Sequence, residues 1–353
     1  MMPIKGKIIV LRFSAMGDVA MVASVLREFS LQNPEAELVM VSRQIFEPFF
    51  QDIKNLTFHA IKPKDTHKGI SGLFSLFKEL KKYQPIAVAD LHDNLRSRML
   101  SLFFRFAGIK IRRIDKGRAE KKALTRPVNK TLKQLKPTVE RYADVFRSLG
   151  FNLKLSNQLQ NFKNPLPAAA IELFNDIETI TIGISPFAQH LYKVYPFQKM
   201  STVIEKLNNL GYKLLIFGGG EEEKKIADTW ASNNLNVINT IGKFNLSEEL
   251  AIISNLDLML SMDSSGMHMA SLMGVRVVSI WGPTHPFAGF LGYGQTYEDC
   301  IQIDDINRPN SIYGNKPFSA TDETGMNAIE PDIVVQKIIE ITNGKTTIHH
   351  PSR

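Results

Sequence analysis

Cysteine is almost missing from this sequence. It occurs once in 353 residues, as Cys300, so no disulfide can close within the chain, and a reducing compartment is the expected setting. Long apolar runs are missing too. None approaches the roughly 20 residues of a membrane-spanning helix. The first apolar stretch, residues 8–11, is cut by Arg12 well before it reaches the length of a secretory leader's core. No Asp-x-Asp occurs anywhere, so a carboxylate pair clamping a metal–diphosphate is not expected. The loop after the first strand has one glycine, Gly17, where a dinucleotide fingerprint needs three. It also lacks the Gly-Lys-Ser/Thr ending of a P-loop, so neither nicotinamide binding nor nucleoside triphosphate hydrolysis is supported.

Positive charge is abundant, and it is concentrated. Residues 105–141 hold 13 Lys or Arg against 3 Asp or Glu, a net of +10 in a chain whose total is +8, so everything else sums to −2. One segment carrying the whole excess implies an anionic partner, or else a solvated loop. Nucleic acid is a poor candidate, because Phe106 is the only aromatic side chain in that segment and base stacking needs several.

Hydrophobic patterning alternates strand and helix along the chain. Residues 7–13 read as a buried strand. Val19, Val22, Leu26 and Phe29 follow at helical spacing. Short strands follow at 37–41, 58–61 and 86–91. Leu73, Phe74, Phe77 and Leu80 mark a helix that stops before Pro85. The polar stretch 152–175, with Pro165 and Pro167, reads as a domain boundary. Beyond it the alternation resumes, with strands at 179–184, 213–217, 256–262 and 275–280. Residues 296–328 read as loop, and 331–342 as a last helix that crosses back to the first domain. Repeated strand–helix units of this kind predict an α/β fold of two Rossmann-like, doubly wound domains facing a central cleft, 1–165 and 166–353.

In open parallel sheets, ligands bind beyond the carboxyl ends of the strands, and four loops there carry chemistry. Arg12-Phe13-Ser14-Ala15-Met16-Gly17-Asp18 offers a carboxylate, which on spacing alone reads as a helix cap. The loop from Ser185 to Pro196 holds one charged residue, Lys193, a point cation for a diphosphate or simply a surface lysine. Gly218-Gly219-Gly220-Glu221-Glu222 permits close backbone approach to a ligand, with acids beside it for hydroxyls or for the helix dipole. Asp263-Ser264-Ser265-Gly266-Met267-His268 opens a helix whose first N–H groups suit an anion, with His268 read as a packing residue.

The order and spacing of these pieces resemble glycosyltransferase family 9, the ADP-heptose:lipopolysaccharide heptosyltransferases. Residues 9–19, with Arg12, Ser14, Gly17 and Asp18, are similar to the family's opening motif. Asp90-Leu91-His92-Asp93-Asn94-Leu95-Arg96-Ser97 is similar to its D-L-Q-x-N-x-R-S segment. Residues 186–196, the stretch from Asp263 to Ala270, and Trp281-Gly282-Pro283-Thr284 match further elements in the same order. Departures are Ser264-Ser265 for Thr-Gly, His285 for aspartate, Gly325 for cysteine and Tyr195 for tryptophan.

The resemblance implies an inverting, metal-independent GT-B enzyme that needs no cofactor beyond its nucleotide-sugar donor, ADP-linked heptose or another sugar. Asp18 would be the general base and Lys193 would neutralise the leaving diphosphate. Ser185, Gly219, Glu221, Glu222, Asp263, Ser264, Ser265, Gly266 and His268 would line the donor site. Ser14, Gly17, Asn94, Arg96, Arg118 and Lys121 would meet an anionic glycolipid acceptor. The implied setting is cytoplasmic, with peripheral contact at the inner membrane. A sugar-binding protein with this fold and no turnover is the alternative.

Overall fold

The computed structural model describes residues 5–176 and 178–346. The chain divides into two compact units, Met1–Arg118 with Lys136–Asn157, and Ala119–Leu135 with Gln158–Arg353.

The first unit holds strands β1 (Gly6–Leu11), β2 (Ala36–Ser42), β3 (Leu56–Ala60), β4 (Pro85–Asp90) and β5 (Lys110–Arg113), and helices α1 (Met16–Gln32), α2 (Gly69–Lys81) and α3 (Leu95–Phe106). Helix α4 (Arg118–Leu124) leaves it, and α5 (Thr138–Leu149) returns to it. The five strands are all parallel, in the order β3-β2-β1-β4-β5. Ile8, Ile9, Val10 and Leu11 are buried to the last atom, as the continuous apolar run of a central parallel strand requires. Helix α5 ends on Gly150 with φ +106°, a left-handed turn that a side chain would resist.

The second unit holds β6 (Thr181–Ser185), α6 (Phe197–Asn209), β7 (Lys213–Ile216), α7 (Glu221–Ser232), β8 (Val237–Asn239), α8 (Leu246–Ser254), β9 (Leu258–Met262), α9 (Ser265–Leu272), β10 (Val277–Trp281), β11 (Cys300–Gln302) and α10 (Pro331–Thr346). Its parallel sheet runs β11-β10-β9-β6-β7-β8. Its core joins Ile182, Ile184, Leu214, Leu258 and Leu260 to Met200, Val203 and Leu207 of α6 and Val334, Val335 and Ile338 of α10.

Three expectations change. The basic stretch is ordered: it contains β5 and α4, both missed because an exposed edge strand reading Lys-Ile-Arg-Arg has no alternating apolar face to reveal it. Residues 119–135 leave the first unit and pack on the second, where Leu124 and Leu135 join Ala288 and Leu135 N–H donates to Phe287 O at 2.9 Å. The last helix belongs to the second unit. It packs on α6 of the second because Val334, Val335, Ile338 and Ile341 complete that core.

Candidate functional site

In the first unit, β1 leads to α1 and β4 leads to α3, and their neighbouring loops form the switch point of the sheet. Leu91 N–H donates to Leu11 O at 3.1 Å, which draws the two loops together. Arg12 ties them further. Its Nε donates to Ser14 O at 2.7 Å and its Nη1 to Leu91 O at 2.9 Å. Its Nη2 lies 2.5 Å from Asp18 Oδ2, and Tyr142 of α5 donates its hydroxyl to Asp18 Oδ1 at 3.2 Å. Asp18 therefore does not cap α1. The N-cap position belongs to Ala15, and the carboxylate is held instead by a guanidinium and a phenol.

The β4 loop is organised by Asp90, which is fully buried. Its Oδ1 accepts from the N–H groups of His92 (3.1 Å) and Asp93 (2.8 Å), and its Oδ2 accepts from Arg113 Nε at 3.2 Å. Asp93 takes φ +50°, a left-handed conformation that aspartate tolerates better than most residues. Its buried carboxylate accepts from Arg98 Nε at 2.7 Å and Arg118 Nη2 at 2.9 Å, and its carbonyl accepts from Lys116 Nζ at 3.2 Å. These partners hold the Asp93 carboxyl below the usual range against the opposing effect of burial. Burial is also the leading cause that lowers the Lys116 ammonium, with Arg12 beside it.

His92 Nδ1 accepts from Phe13 N–H at 3.1 Å. Burial first, then Arg12 and Lys116, push the imidazole down to about 3, so it stays neutral at physiological pH. Asn94 caps α3 through a reciprocal bond with Ser97, which fixes where Arg96 and Arg98 leave the helix. Asp18 thus sits at an edge rich in guanidinium and ammonium groups, each braced by a buried acid or a carbonyl.

In the second unit, Ser185 pairs in register with Ser261, so the loops after β6 and β9 emerge side by side. Lys193 Nζ lies 3.0 Å from Asp263 Oδ2, with both side chains largely buried. Gly314 packs on the stem of Lys193, where a Cβ would stand 2.2 Å from its Cγ. Ser264 occupies the N-cap of α9 in an extended conformation, and its side chain caps no N–H of the helix. Gly266 follows on the first turn. A Cβ there would lie 2.1 Å from Ser185 Oγ, so the approach of α9 to the end of β6 depends on the missing side chain. Gly266→Ala should lower the melting temperature by an amount matching about 1–3 kcal/mol of overpacking. Ser185→Gly in the same chain should recover most of that loss; a double variant no more stable than the single one would disprove this packing account.

The loop after β7 is closed by Glu223, whose Oε2 accepts from Gly219 N–H at 2.7 Å and whose carboxyl burial pushes upward. Glu221 and Glu222 open α7 from exposed positions. His268 is buried one turn inside α9.

Residues 73–302 match the family described as Glycosyltransferase family 9 (heptosyltransferase). The chain belongs to glycosyltransferase family 9. Among curated relatives, the lipopolysaccharide core heptosyltransferase OpsX of Haemophilus influenzae is 24% identical over 312 residues, covering 86% of this chain and 87% of that protein. Lipopolysaccharide heptosyltransferase 3 of Escherichia coli is 21% identical, covering 76% and 81%. Among solved structures, a family 9 glycosyl transferase from Veillonella parvula DSM 2008 aligns with a TM-score of 0.73 at 19% identity over 97% of this chain and 99% of its own. E. coli heptosyltransferase WaaC with ADP aligns at 0.67 and 18%, over 95% and 99%. At these identities the structural likeness establishes the fold, which is GT-B.

Within this family 9 chain, Ser14, Gly17, Asp18, Asn94, Arg96 and Arg118 come together in the first unit, while Ser185, Lys193, Gly219, Glu221, Glu222, Asp263, Ser264, Ser265, Gly266 and His268 share the strand ends of the second. Lys121 stands apart from the other acceptor candidates. It is buried in the second unit, its Nζ 4.1 Å from the centre of the Phe290 ring. Arg12, His92, Tyr142 and Glu223 had no assigned role in the sequence reading, while Lys116 was one of the basic residues expected to hold an anionic acceptor. Tyr142 lies 124 positions from Asp18, a separation at which no local pattern signals contact.

Proposed function

We propose that this family 9 enzyme moves heptose, or a related sugar, from ADP-heptose or a similar nucleotide sugar to a lipopolysaccharide core acceptor, with inversion and without a metal. The observation that carries the reading is Asp18, held by Arg12 and Tyr142 at the switch point of its sheet, with the Lys116 ammonium close enough to feel its charge. E. coli WaaC, whose fold this chain shares, has been solved with ADP and with ADP-2-deoxy-2-fluoro heptose, which favours an ADP-linked donor here.

In this mechanism Asp18 takes the proton of the acceptor hydroxyl as that oxygen bonds to the anomeric carbon. The bond to the diphosphate breaks on the opposite face, and ADP leaves with the electron pair, so the anomeric configuration inverts. Lys193 exchanges part of its contact with Asp263 for the diphosphate oxygens and stabilises the charge that develops there. The first N–H groups of α9, with Ser264 and Ser265, bind phosphate, and Glu221 or Glu222 holds the ribose. Arg96, Lys116 and Arg118 meet the anionic groups of the acceptor, which ties the reaction to a membrane-borne glycolipid.

The test is a donor screen with lipopolysaccharide core acceptor and no added metal. One donor should release its nucleoside diphosphate in the presence of EDTA. Lys193→Met should lower kcat/KM for that donor by about a hundredfold. A donor that binds tightly without turnover under every condition would instead establish a sugar-binding protein with this fold.

A further inference from the structure

A lysine aims its charge poorly on its own, because every torsion of its long side chain turns freely unless something holds it. Asp263 fixes only the tip of Lys193, through the 3.0 Å contact with Nζ. The middle of the side chain is held by Gly314. A Cβ at that position would stand 2.2 Å from Lys193 Cγ, 2.3 Å from its Cδ and 3.5 Å from Thr284 Cγ2. The backbone of Gly314 therefore lies flush against the lysine stem, with the Thr284 methyl beside it.

The turn that carries this glycine is tightly closed. Gly314 takes φ +69°, and Ser311, itself buried, gathers the turn around its hydroxyl. Ser311 Oγ accepts from Gly314 N–H at 2.9 Å and Asn315 N–H at 3.3 Å, and donates to Asn315 Oδ1 at 3.0 Å. Pro283 O, in the loop after β10, accepts from the N–H groups of Asn310 and Ser311 at 3.2 Å each, while Arg308 Nη2 holds the neighbouring Thr284 O at 2.9 Å. Such bonds would close the turn wherever it lay. What they place is a glycine against the two methylenes that set the direction of the Lys193 ammonium.

We infer that the Ser311–Gly314 turn is a positioning element for Lys193, holding its ammonium between Asp263 and the diphosphate of the donor. The inference rests on the reading of Lys193 as the cation that meets the leaving group. Ser311 and Gly314 touch no substrate; they act through the lysine. With Cγ and Cδ held, the outer two torsions alone carry the ammonium from carboxylate to phosphate. A Cβ at residue 314 meets the stem first. The stem gives more easily than a turn closed by several hydrogen bonds, and the ammonium moves with it. A misplacement of about 1 Å is enough to cost up to about a hundredfold in rate.

The experiment measures ADP and AMP binding by calorimetry, and transfer by steady-state kinetics, in Gly314→Ala and Ser311→Ala, each with and without Lys193→Ala. The second phosphate separates the two nucleotides, so the ratio of their affinities reports the ammonium. Gly314→Ala should lower that ratio about tenfold and kcat/KM about thirtyfold, and Ser311→Ala should lower each about threefold. In the Lys193→Ala chain neither substitution should change the ratio or kcat/KM further. Gly314→Ala should also lower the melting temperature less in that chain, because the clash is gone while the cost of its positive φ remains. If Gly314→Ala does not fold, Ser311→Ala carries the test. An unchanged ratio, or the same factor lost whether residue 193 is lysine or alanine, would make the turn a structural loop and overturn the inference. A ratio that behaves as expected while no donor is turned over would keep the positioning role and remove the transferase reading. Turnover by a wild-type chain with no preference for ADP over AMP would do the reverse.

Discussion

Asp18→Asn should lower kcat about a thousandfold while changing the KM for the donor by less than a few-fold. Asparagine keeps the shape of the side chain and an oxygen for the Tyr142 hydroxyl, but it cannot take a proton from an attacking hydroxyl. Both oxygens of Asp18 are already engaged, one by Arg12 at 2.5 Å and one by Tyr142 at 3.2 Å, and a carboxylate oxygen has a second lone pair left for the acceptor. Arg12 is nearly buried, so the substitution also leaves a guanidinium short of its counter-ion, at a cost of about 1–3 kcal/mol. The two effects separate in measurement, because steady-state kinetics reads the first and thermal unfolding the second. Loss of stability with kcat held within tenfold would make Asp18 a brace for Arg12 and nothing more. His92 would not supply a substitute acid limb in the pH–rate profile, because it is neutral down to about pH 3.

Arg308→Met should destabilise the second unit by about 3–5 kcal/mol, a drop on the order of 10 °C in its melting temperature. Arg308 is buried, and every bond described for it goes to a neutral oxygen. Its Nε donates to Gly282 O and its Nη1 to Ile303 O, each at 2.5 Å. Its Nη2 donates to Thr284 O at 2.9 Å, Gln302 Oε1 at 3.1 Å and Trp281 O at 3.2 Å. Burial lowers this guanidinium from its usual 12.5 to about 10, so it still carries its charge at neutral pH. Methionine would fill the space but strand three carbonyls at the end of β10 and in the turn after it, and that of Ile303 beyond β11. Lysine should rescue little, since one ammonium cannot reach a fan of oxygens that a planar fork spans. Calorimetry decides the matter. A melting temperature within about 2 °C of wild type would mean that water replaces the guanidinium at little cost.

The candidate site was unevenly legible. Lys193 and Asp263 were each visible as polar residues in a strand-end loop, and their pairing followed once β6 and β9 proved to be neighbours. Asp18 was visible, but its sequence signal is the same as that of a helix cap. Only Arg12 and Tyr142, arriving from two directions, separate the two roles. The basic segment was visible as charge and not as structure. Its cations in fact divide: Arg113, Lys116 and Arg118 are braced by Asp90 and Asp93 in the first unit, while Lys121 is stacked on Phe290 in the second. Composition sums over a stretch and cannot register a chain that changes units at Arg118.

The sequence by itself determined the two parallel sheets and the loops at their carboxyl ends. Those depend on local periodicity, turn residues and short motifs, which are properties of neighbours along the chain. The tertiary structure alone decided which partners hold Asp18 and where Lys121 and the last helix pack. Each of these depends on contacts between residues tens to more than a hundred positions apart, and on burial, which no local pattern encodes.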